Sequence, residues 1–391
     1  MKKINIFASK DAITTYTLAP IRLNKERLYE RGYRVNIFYK MKPGLVDCDV
    51  LCLVSKPTHL ALGDRGPIYQ DDGEIIKFLI EARKTAGRII WMDDSDSTSV
   101  THFELLPYID FYLKKQIFKD KSLYKIPYYG GRIFSDYYHN KFNVCDDTVF
   151  DQFYPLKEAD WDKVKVSWNI GLGDMRNAFT WRTPVQRMFP DYFLPSPDIK
   201  FVSPSQERPV DLFLRTSANL SRKSIAFHRQ EMLRQLTTIL NQSTEFSGMV
   251  GNTVQRRTKT AEKLLPEIGG RLSMATYRDI VAHTKIAPSP FGWGEIGVRD
   301  YEAFIFGALL LKPDVSHMAT WPDIFIADET YVPVDWSFDD LGELIGEMVS
   351  NSANRLRIAR NGQDAYRESI SMSGMEKFCD WFLQQIGEQV C

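Results

Sequence analysis

The stretch that decides the fold is residues 285–312, which read KIAPSPFGWGEIGVRDYEAFIFGALLLK. It begins as a short apolar segment, passes into a loop in which three glycines crowd around Glu295, and then favours a helix with apolar side chains on one face. We expect Gly307 to end that helix, and the apolar run 308–311 predicts the next strand. A unit of strand, glycine-rich loop, helix and strand is typical of open α/β sheets, which bind ligands beyond the carboxyl ends of their strands.

The polar residues of this stretch predict a ligand that carries both phosphate and hydroxyl groups. Gly294 lets backbone N–H groups approach an anion closely, and the N-terminus of the following helix adds partial positive charge. Carboxylates repel phosphate, so Glu295 and Glu302 are interpreted as acceptors for sugar or ribose hydroxyls. Arg299 supplies compensating charge, and Lys312 is a candidate phosphate ligand. The alternative is an ordinary α/β turn with a structural glutamate.

Length and composition bound the class of protein. The chain has 391 residues, long enough for two domains with a core each. Its 50 basic and 50 acidic residues cancel, so no overall field attracts nucleic acid or an anionic membrane. No apolar run approaches a membrane span, and the first apolar stretch is too short for a signal peptide. Five cysteines without paired spacing indicate free thiols in a reducing compartment. We expect a cytoplasmic protein, with peripheral association at the inner face of the membrane left open.

Strand and helix patterns alternate along the chain, which predicts parallel, doubly wound sheets. The predicted strands are 3–8, 33–39, 49–55, 88–92, 109–113, 164–170, 209–215, 284–288, 308–311 and 331–335. The predicted helices include 18–31, 73–86, 224–240, 273–283, 339–350, 351–369 and 374–388. The expected divisions are a first domain over 1–175, a proline-rich connection over 176–208, a second domain over 209–370 and a C-terminal helix over 371–391.

Residues 299–311 also resemble a known motif. The pattern Tyr-Glu-Ala-x-x-x-Gly-Ala-Leu-Leu-Leu, preceded by a glycine-rich loop with an upstream acid, looks like the donor-binding motif of GT-B glycosyltransferases of the group 1 type. The Arg-x-x-Glu-Ala form is closest to the spore-maturation-protein-like and exostosin-like branches. In the familiar retaining subgroup seven residues separate the two acids, whereas six separate Glu295 from Glu302. The pattern is compatible with retention or inversion.

This resemblance implies two Rossmann-like domains that face a cleft, with the donor on the second domain and the acceptor on the first. The implied reaction moves a sugar from a nucleotide-sugar donor to a glycan, lipid-linked or other acceptor, as in polysaccharide biosynthesis. The donor is a co-substrate, and no cofactor or metal is expected, because GT-B enzymes generally bind the diphosphate through backbone and basic residues. In this fold the last helix often crosses back to the first domain. The alternative function is binding of a sugar or nucleotide without transfer.

A second candidate phosphate site follows the strand 209–215. Arg215 ends that strand, and Arg222 precedes the predicted helix 224–240. Side-chain donors beside a helix N-terminus suit a diphosphate. In the resembled family the corresponding loop commonly meets the donor phosphates, which implies that role for both arginines. Surface salt bridges are the alternative.

Four residues of the first domain are candidate general bases. Asp11 lies in the loop after the first strand, where a helix N-cap is the alternative, and His59 follows the third strand. Asp94 and Asp96 belong to the acidic stretch 93–97 after the fourth strand. That stretch is compatible with acceptor binding or catalysis, with a metal site and thus a metal-dependent hydrolase, or with turn chemistry. If the reaction inverts, one of these bases is required.

A basic run and an aromatic stretch follow. The lysines at 114–121 favour a solvated helix face, with the steering of an anionic acceptor as the alternative. The aromatic residues of 122–154 are compatible with stacking on sugar rings or with packing of loops against a core.

Overall fold

A computed structural model of the chain describes residues 1–10, 12–62, 73–149, 153–172, 199–242, 247–252 and 272–389. The strands of the first half are β1 (Lys2–Phe7), β2 (Tyr33–Phe38), β3 (Val50–Val54), β4 (Arg88–Asp93), β5 (Phe111–Lys114), β6 (Gln116–Phe118) and β7 (Val164–Val166). All but β6 form one parallel sheet in the order β2-β1-β3-β4-β5-β7. Strand β3 is buried on both faces, since its alternate residues pack into two different hydrophobic cores.

The helices of this domain are Ala12–Thr17, Ala19–Leu23, Lys25–Glu30, Ser55–Ala61, Gly73–Ala82 and Ile133–Phe142. The predicted helix 18–31 is divided at Asn24. The side-chain amide of Asn24 donates to the carbonyl of Pro20 at 2.8 Å, and a local bond of this kind competes with continuation of a helix. The predicted strands of this half are confirmed, with differences at their ends.

The second half contains β8 (Val210–Thr216), β9 (Gly248–Asn252), β10 (Thr284–Pro288), β11 (Leu309–Pro313), β12 (Met318–Thr320) and β13 (Val332–Val334). All but β12 form a second parallel sheet in the order β13-β11-β10-β8-β9. The helices of this half are Lys223–Gln242, Met274–Ala282, Val298–Phe306, Leu341–Ser350, Ser352–Ser369 and Met372–Gln385. Gly307, with φ of 67°, ends the helix Val298–Phe306 as predicted, because this left-handed conformation favours glycine.

Both sheets have the same winding. Numbered within its own domain, each sheet begins with the order 2-1-3-4-5, so the chain reverses its direction of crossover between the first and third strands. In the first sheet this switch point lies between β1 and β3, and in the second between β8 and β10. The predicted fold class, two Rossmann-like doubly wound domains that face a cleft as in GT-B proteins, is confirmed. Open sheets of this kind bind ligands outside the carboxyl ends of the strands at the switch point.

The domains are joined at several places. Strand β6 of the first domain pairs antiparallel with β12 of the second. The helix Met372–Gln385 packs on the first domain, where Arg27 Nε donates to Glu376 Oε1 at 2.7 Å and the ring of Trp168 lies 5.3 Å from that of Phe378. The chain therefore returns to the first domain after completing the second sheet.

Most of the predicted connection 176–208 lies outside the described residues, which resume at 199. Among the described residues, no helix is long and apolar enough to cross a membrane.

Candidate functional site

A cavity of about 560 Å³ lies between the two domains. On the second domain it meets Arg215 near the end of β8 and Ser289 just after β10, and so occupies the switch point of that sheet. The other second-domain residues that line it are Arg229, Leu272, Met274, Tyr277, Pro290, Gly292, Trp293, Gly294, Ile296, Gly297, Val298, Arg299 and Glu302. The first-domain residues that line it are Tyr16, Asp96, Lys115 and Ile170.

The loop before the helix Val298–Phe306 is pressed between the domains. A Cβ atom built on Gly294 would lie 1.9 Å from the carbonyl oxygen of Asp96, and one built on Gly292 would lie 2.6 Å from Arg229 Nη2. The backbone of Asp96 leaves no room for a side chain at Gly294, whereas a side chain at Gly292 would displace the guanidinium of Arg229. The predicted close approach at Gly294 is thus an approach to the first domain's backbone.

Glu295 faces the first domain rather than the cavity. It is 1% exposed and accepts hydrogen bonds from Ser97 Oγ at 2.9 Å, from the Thr98 amide at 3.1 Å and from Gln116 Nε2 at 3.4 Å. These three donors all belong to the first domain. Glu295 is not one of the described residues that line the cavity. The structure therefore places this carboxylate in the contact between domains.

Lys312, the candidate phosphate ligand, is fully buried. Its ammonium lies 2.7 Å from Asp300 Oδ2 and donates to the carbonyl of Glu295 at 2.8 Å. Asp300 Oδ2 also accepts from the Gly297 amide at 3.0 Å, and Asp300 Oδ1 accepts from the Ser289 hydroxyl. Asp300 was not identified from the sequence. It closes the first turn of the helix and pairs with Lys312, so both charges serve the internal structure of the loop.

Glu302 and Arg299 line the cavity together. Glu302 is 8% exposed, and the Tyr277 hydroxyl donates to its Oε2 at 2.9 Å. Burial raises the pKa of Glu302 above its ordinary value, and the nearby Arg299 opposes that shift. Arg299 Nη2 donates to the carbonyl of Arg215 at 2.6 Å. The carboxylate is thus held by a phenol beside a guanidinium.

Three arginines line the second-domain wall of the cavity: Arg215, Arg229 and Arg299. Arg229 is fixed by donating to the carbonyls of Phe291 and Ser217, each at 2.8 Å. Burial, together with the charge of Arg299, lowers the pKa of Arg229 to about 10. Sequence reasoning missed Arg229, which lies inside the predicted helix 224–240 without a signal to separate it from a surface arginine. Like charges held together in a partly desolvated cavity favour an anionic ligand.

Arg222 lies elsewhere. Its Nη1 donates to the carbonyl of Gly130 in the first domain at 2.8 Å. The N-terminus of the helix Lys223–Gln242 is occupied by Asp146, also of the first domain, which accepts from the Ser224 amide at 2.8 Å and from the Ser224 hydroxyl at 2.9 Å. The helix end that was expected to suit a diphosphate carries a protein carboxylate in this structure.

Three of the four candidate bases, His59, Asp94 and Asp96, are described, and their environments differ. Asp11 lies outside the described residues. His59 is fully buried, with its ring 4.7 Å from that of His102 and 5.6 Å from that of Trp91. Burial, reinforced by His102, lowers the pKa of His59 to about 3. Asp94 accepts from the Ser55 hydroxyl at 2.5 Å and the Lys56 amide at 3.1 Å.

The pKa values of Asp94 and Asp96 are shifted in opposite directions. Burial raises the pKa of Asp94. For Asp96 burial acts in the same direction, but nearby cations, led by Lys115 in an ion pair at 2.9 Å and joined by Arg132 and Lys114, together outweigh burial and lower the pKa. Of the described candidates, Asp96 lines the cavity, with a side chain that is 40% exposed. Asp96 is therefore an ionised carboxylate at the first-domain wall.

The basic run does not form a solvated helix face, and that interpretation is wrong. Lys114 ends β5 and is fully buried against Asp93, with 2.8 Å between Lys114 Nζ and Asp93 Oδ2. Lys115 is almost fully buried beside Asp96. The two lysines neutralise the acidic stretch that follows the neighbouring strand, which a one-dimensional pattern cannot show. In the described ranges, no group of three or more His, Cys, Asp or Glu residues could hold a metal ion.

Comparisons with known proteins give no family assignment. No family model matches the chain, and no curated protein matches it. Similar solved structures include a glycosyltransferase from Rickettsia africae ESF-5, with 11% identity, 99% of each chain covered and a TM-score of 0.48. An alpha-glucosyltransferase solved with UDP has 11% identity, 97% and 99% coverage and a TM-score of 0.46. The Anabaena HepE protein solved with UDP-glucose has 11% identity, 98% and 100% coverage and a TM-score of 0.42. The fold assignment rests on this chain's own strand order and parallel registers.

Proposed function

We propose that this protein is a nucleotide-sugar-dependent glycosyltransferase of the GT-B group 1 type. The observation that carries the proposal is the convergence of Arg215, Arg229 and Arg299 with the carboxylate of Glu302 on one cavity, at the switch point of the second sheet. The guanidinium groups suit a diphosphate, and the carboxylate suits hydroxyl groups of a ribose or a sugar. The Arg-x-x-Glu-Ala motif favours the spore-maturation-protein-like and exostosin-like branches.

The donor would lie against the second domain. Its diphosphate would meet the three arginines, and its hydroxyls would donate to Glu302, which Tyr277 holds in place. An apolar wall suits the nucleotide base, and it is built by Leu272, Met274, Ile296 and Val298. The donor is a co-substrate, and the arginines supply the positive charge that a metal ion supplies in other transferases, so we propose a reaction that needs no metal.

The reaction would take place between the two walls. An acceptor hydroxyl oxygen forms a bond to the anomeric carbon, and the bond between that carbon and the diphosphate breaks, with the electron pair leaving on the diphosphate. The arginines stabilise the charge that develops on the leaving group. If the configuration inverts, the hydroxyl proton passes to the carboxylate of Asp96, the candidate base that lines the cavity. If it is retained, the leaving diphosphate takes the proton.

A ligand screen tests this proposal. Thermal unfolding of the purified protein is followed with UDP, GDP, ADP and CDP and with their sugar derivatives. A ligand at about one hundred times its Kd stabilises the folded state by about 2.7 kcal/mol. We expect one nucleotide series to raise Tm in the wild type, and the rise to be clearly smaller in Arg299→Ala and Glu302→Ala at the same ligand concentration. Arg234→Ala serves as the matched control, because Arg234 is exposed and pairs with Glu231 outside the cavity.

A turnover assay separates transfer from binding alone. Release of nucleoside diphosphate from the stabilising nucleotide sugar is expected for an enzyme, and a chelator such as EDTA is expected to leave the rate unchanged. Stabilisation without any release, with or without acceptors, would support the alternative of a binding protein. No stabilisation by any member of the panel, or a shift of undiminished size in both cavity variants, would overturn the proposed function.

A further inference from the structure

Trp293 is a large aromatic residue that the fold leaves open to the cavity. It is 37% exposed, whereas Phe291, two positions earlier in the same loop, is 1% exposed. A single exposed aromatic residue on a convex surface is ordinary. Trp293, however, lines a concave site between two domains. An indole in such a place offers a flat apolar face with a polar edge, which suits ligands of mixed character.

Contacts from both domains hold the loop that carries this indole. Arg132 of the first domain donates from Nε to the carbonyl of Trp293 at 2.9 Å, and its guanidinium carbon lies 5.5 Å from the centroid of the indole ring. The glycines on either side of Trp293 are packed against Arg229 and Asp96. The loop is therefore held from both domains, so little ordering cost remains when a ligand stacks on the ring.

The two walls of the cavity differ in chemistry. The second-domain wall carries the three arginines and Glu302, whereas the first-domain wall carries the Asp96–Lys115 ion pair next to the loop of Trp293. Where the loop of Trp293 meets the first domain, the cavity thus combines a flat aromatic surface from the second domain with an ionised hydrogen-bond acceptor and an ammonium donor from the first. A pyranose ring has matching features, since its C–H groups form an apolar face and its hydroxyls lie around the edge.

We propose that Trp293 is the stacking platform for a pyranose ring of the acceptor, and that Asp96 accepts a hydrogen bond from a hydroxyl of that ring. The acceptor is accordingly a saccharide. This proposal rests on the proposed function. Of the acceptors that the sequence left open, a glycan, a lipid-linked or another acceptor, it selects the glycan. Trp293 acts by binding the acceptor, so its removal affects the KM for the acceptor more than kcat.

The test measures release of nucleoside diphosphate from the nucleotide sugar found by the ligand screen. The probes are trisaccharides of glucose, galactose, mannose and N-acetylglucosamine, each added over a range of concentrations. At least one is expected to accelerate release by the wild type. Loss of a stacking aromatic residue is expected to raise the KM of Trp293→Ala for that saccharide about tenfold or more, with a smaller rise in Trp293→Phe. Trp161→Phe is the control, because Trp161 does not line the cavity.

The outcomes separate this inference from the proposed function. If no nucleotide sugar binds or releases its diphosphate, the proposed function fails. If release occurs but no saccharide accelerates it, the inference is overturned while the donor site stands. Acceleration by a polyprenyl phosphate in place of saccharides overturns it as well. An unchanged KM in Trp293→Ala, or equal changes in Trp293→Ala and Trp161→Phe, also contradicts the platform role.

Discussion

The two sides of the segment 292–302 differ in what their side chains contact: one side contacts other protein groups, and the other lines the cavity. On one side Glu295 and Asp300 are buried and fully engaged with protein partners, Glu295 with the first domain and Asp300 with Lys312. On the other side Arg299 and Glu302 line the cavity. Residues three apart on a helix share a face, which is why 299 and 302 point the same way and 300 does not. Similar residue types in one short segment therefore divide between structure and ligand.

The largest effect is expected on the buried side. Replacing Lys312 by Met leaves the Asp300 carboxylate buried without its ammonium partner, and breaking a buried pair in this way costs about 3–5 kcal/mol of folding free energy. Urea unfolding of Lys312→Met measures this loss. The control is Lys77→Ala, whose exposed pair with Glu74 contributes about 1 kcal/mol or less. Equal midpoints for the two variants would show that the buried pair is dispensable.

The next effect is expected on the open side and concerns affinity. Arg299→Ala removes a guanidinium that faces the cavity, and a charged hydrogen bond is worth about 1.5–3 kcal/mol, or roughly ten- to a hundredfold in Kd. Isothermal titration with the nucleoside diphosphate that stabilises the wild type measures the change. Arg234→Ala is expected to bind as the wild type does. A Kd within a factor of about two of the wild type in Arg299→Ala would remove Arg299 from the donor site.

Glu295→Gln sharpens the comparison directly, because it keeps the shape of the side chain and removes its charge. The bonds from Ser97 and Thr98 lose their charge assistance, so we expect a loss of about 1 kcal/mol in stability. The same variant is expected to change the Kd for nucleoside diphosphate less than Arg299→Ala does. Urea unfolding and titration of one preparation give both numbers. A large loss of affinity at unchanged stability would return Glu295 to the donor site.

The smallest effect is a pH dependence at Glu302. Burial raises its pKa, so between its ordinary and raised values the folded state keeps a proton that the unfolded state has lost. The stability contributed by this group is therefore present at acid pH and is lost as pH rises through that window. The unfolding free energy of the wild type minus that of Glu302→Gln should fall with rising pH and then level off. Glu343→Gln, at an exposed position, provides the control, and a difference that rises with pH would contradict the shift.

Much of the fold could be predicted from the sequence because its signals are local. Alternating apolar strands and helices predicted two doubly wound domains, and Gly307 predicted the end of the central helix. The division of the helix 18–31 was missed because the bond from Asn24 to Pro20 depends on the side chain's orientation. The parallel, doubly wound character of the sheets followed from the alternating pattern, whereas the contacts between the domains did not.

The site was less predictable, because its residues come together only in three dimensions. Arg299 and Glu302 were named from their motif, and both line the cavity. Arg229 and Asp146 gave no local signal: one reaches the cavity from the middle of a helix, and the other crosses from the first domain to a helix N-terminus. The lysines at the end of β5 were misread for the same reason, since their acidic partners lie at and just after the end of the neighbouring strand β4.

A structure of the protein with the nucleoside diphosphate from the ligand screen tests the central claim most directly. We predict phosphate oxygens within hydrogen-bond distance of the guanidinium groups of Arg229 and Arg299, with Glu295 still bound to the first domain. A diphosphate at the N-terminus of the helix Lys223–Gln242, with Asp146 displaced and Arg299 free of contact, would contradict the account.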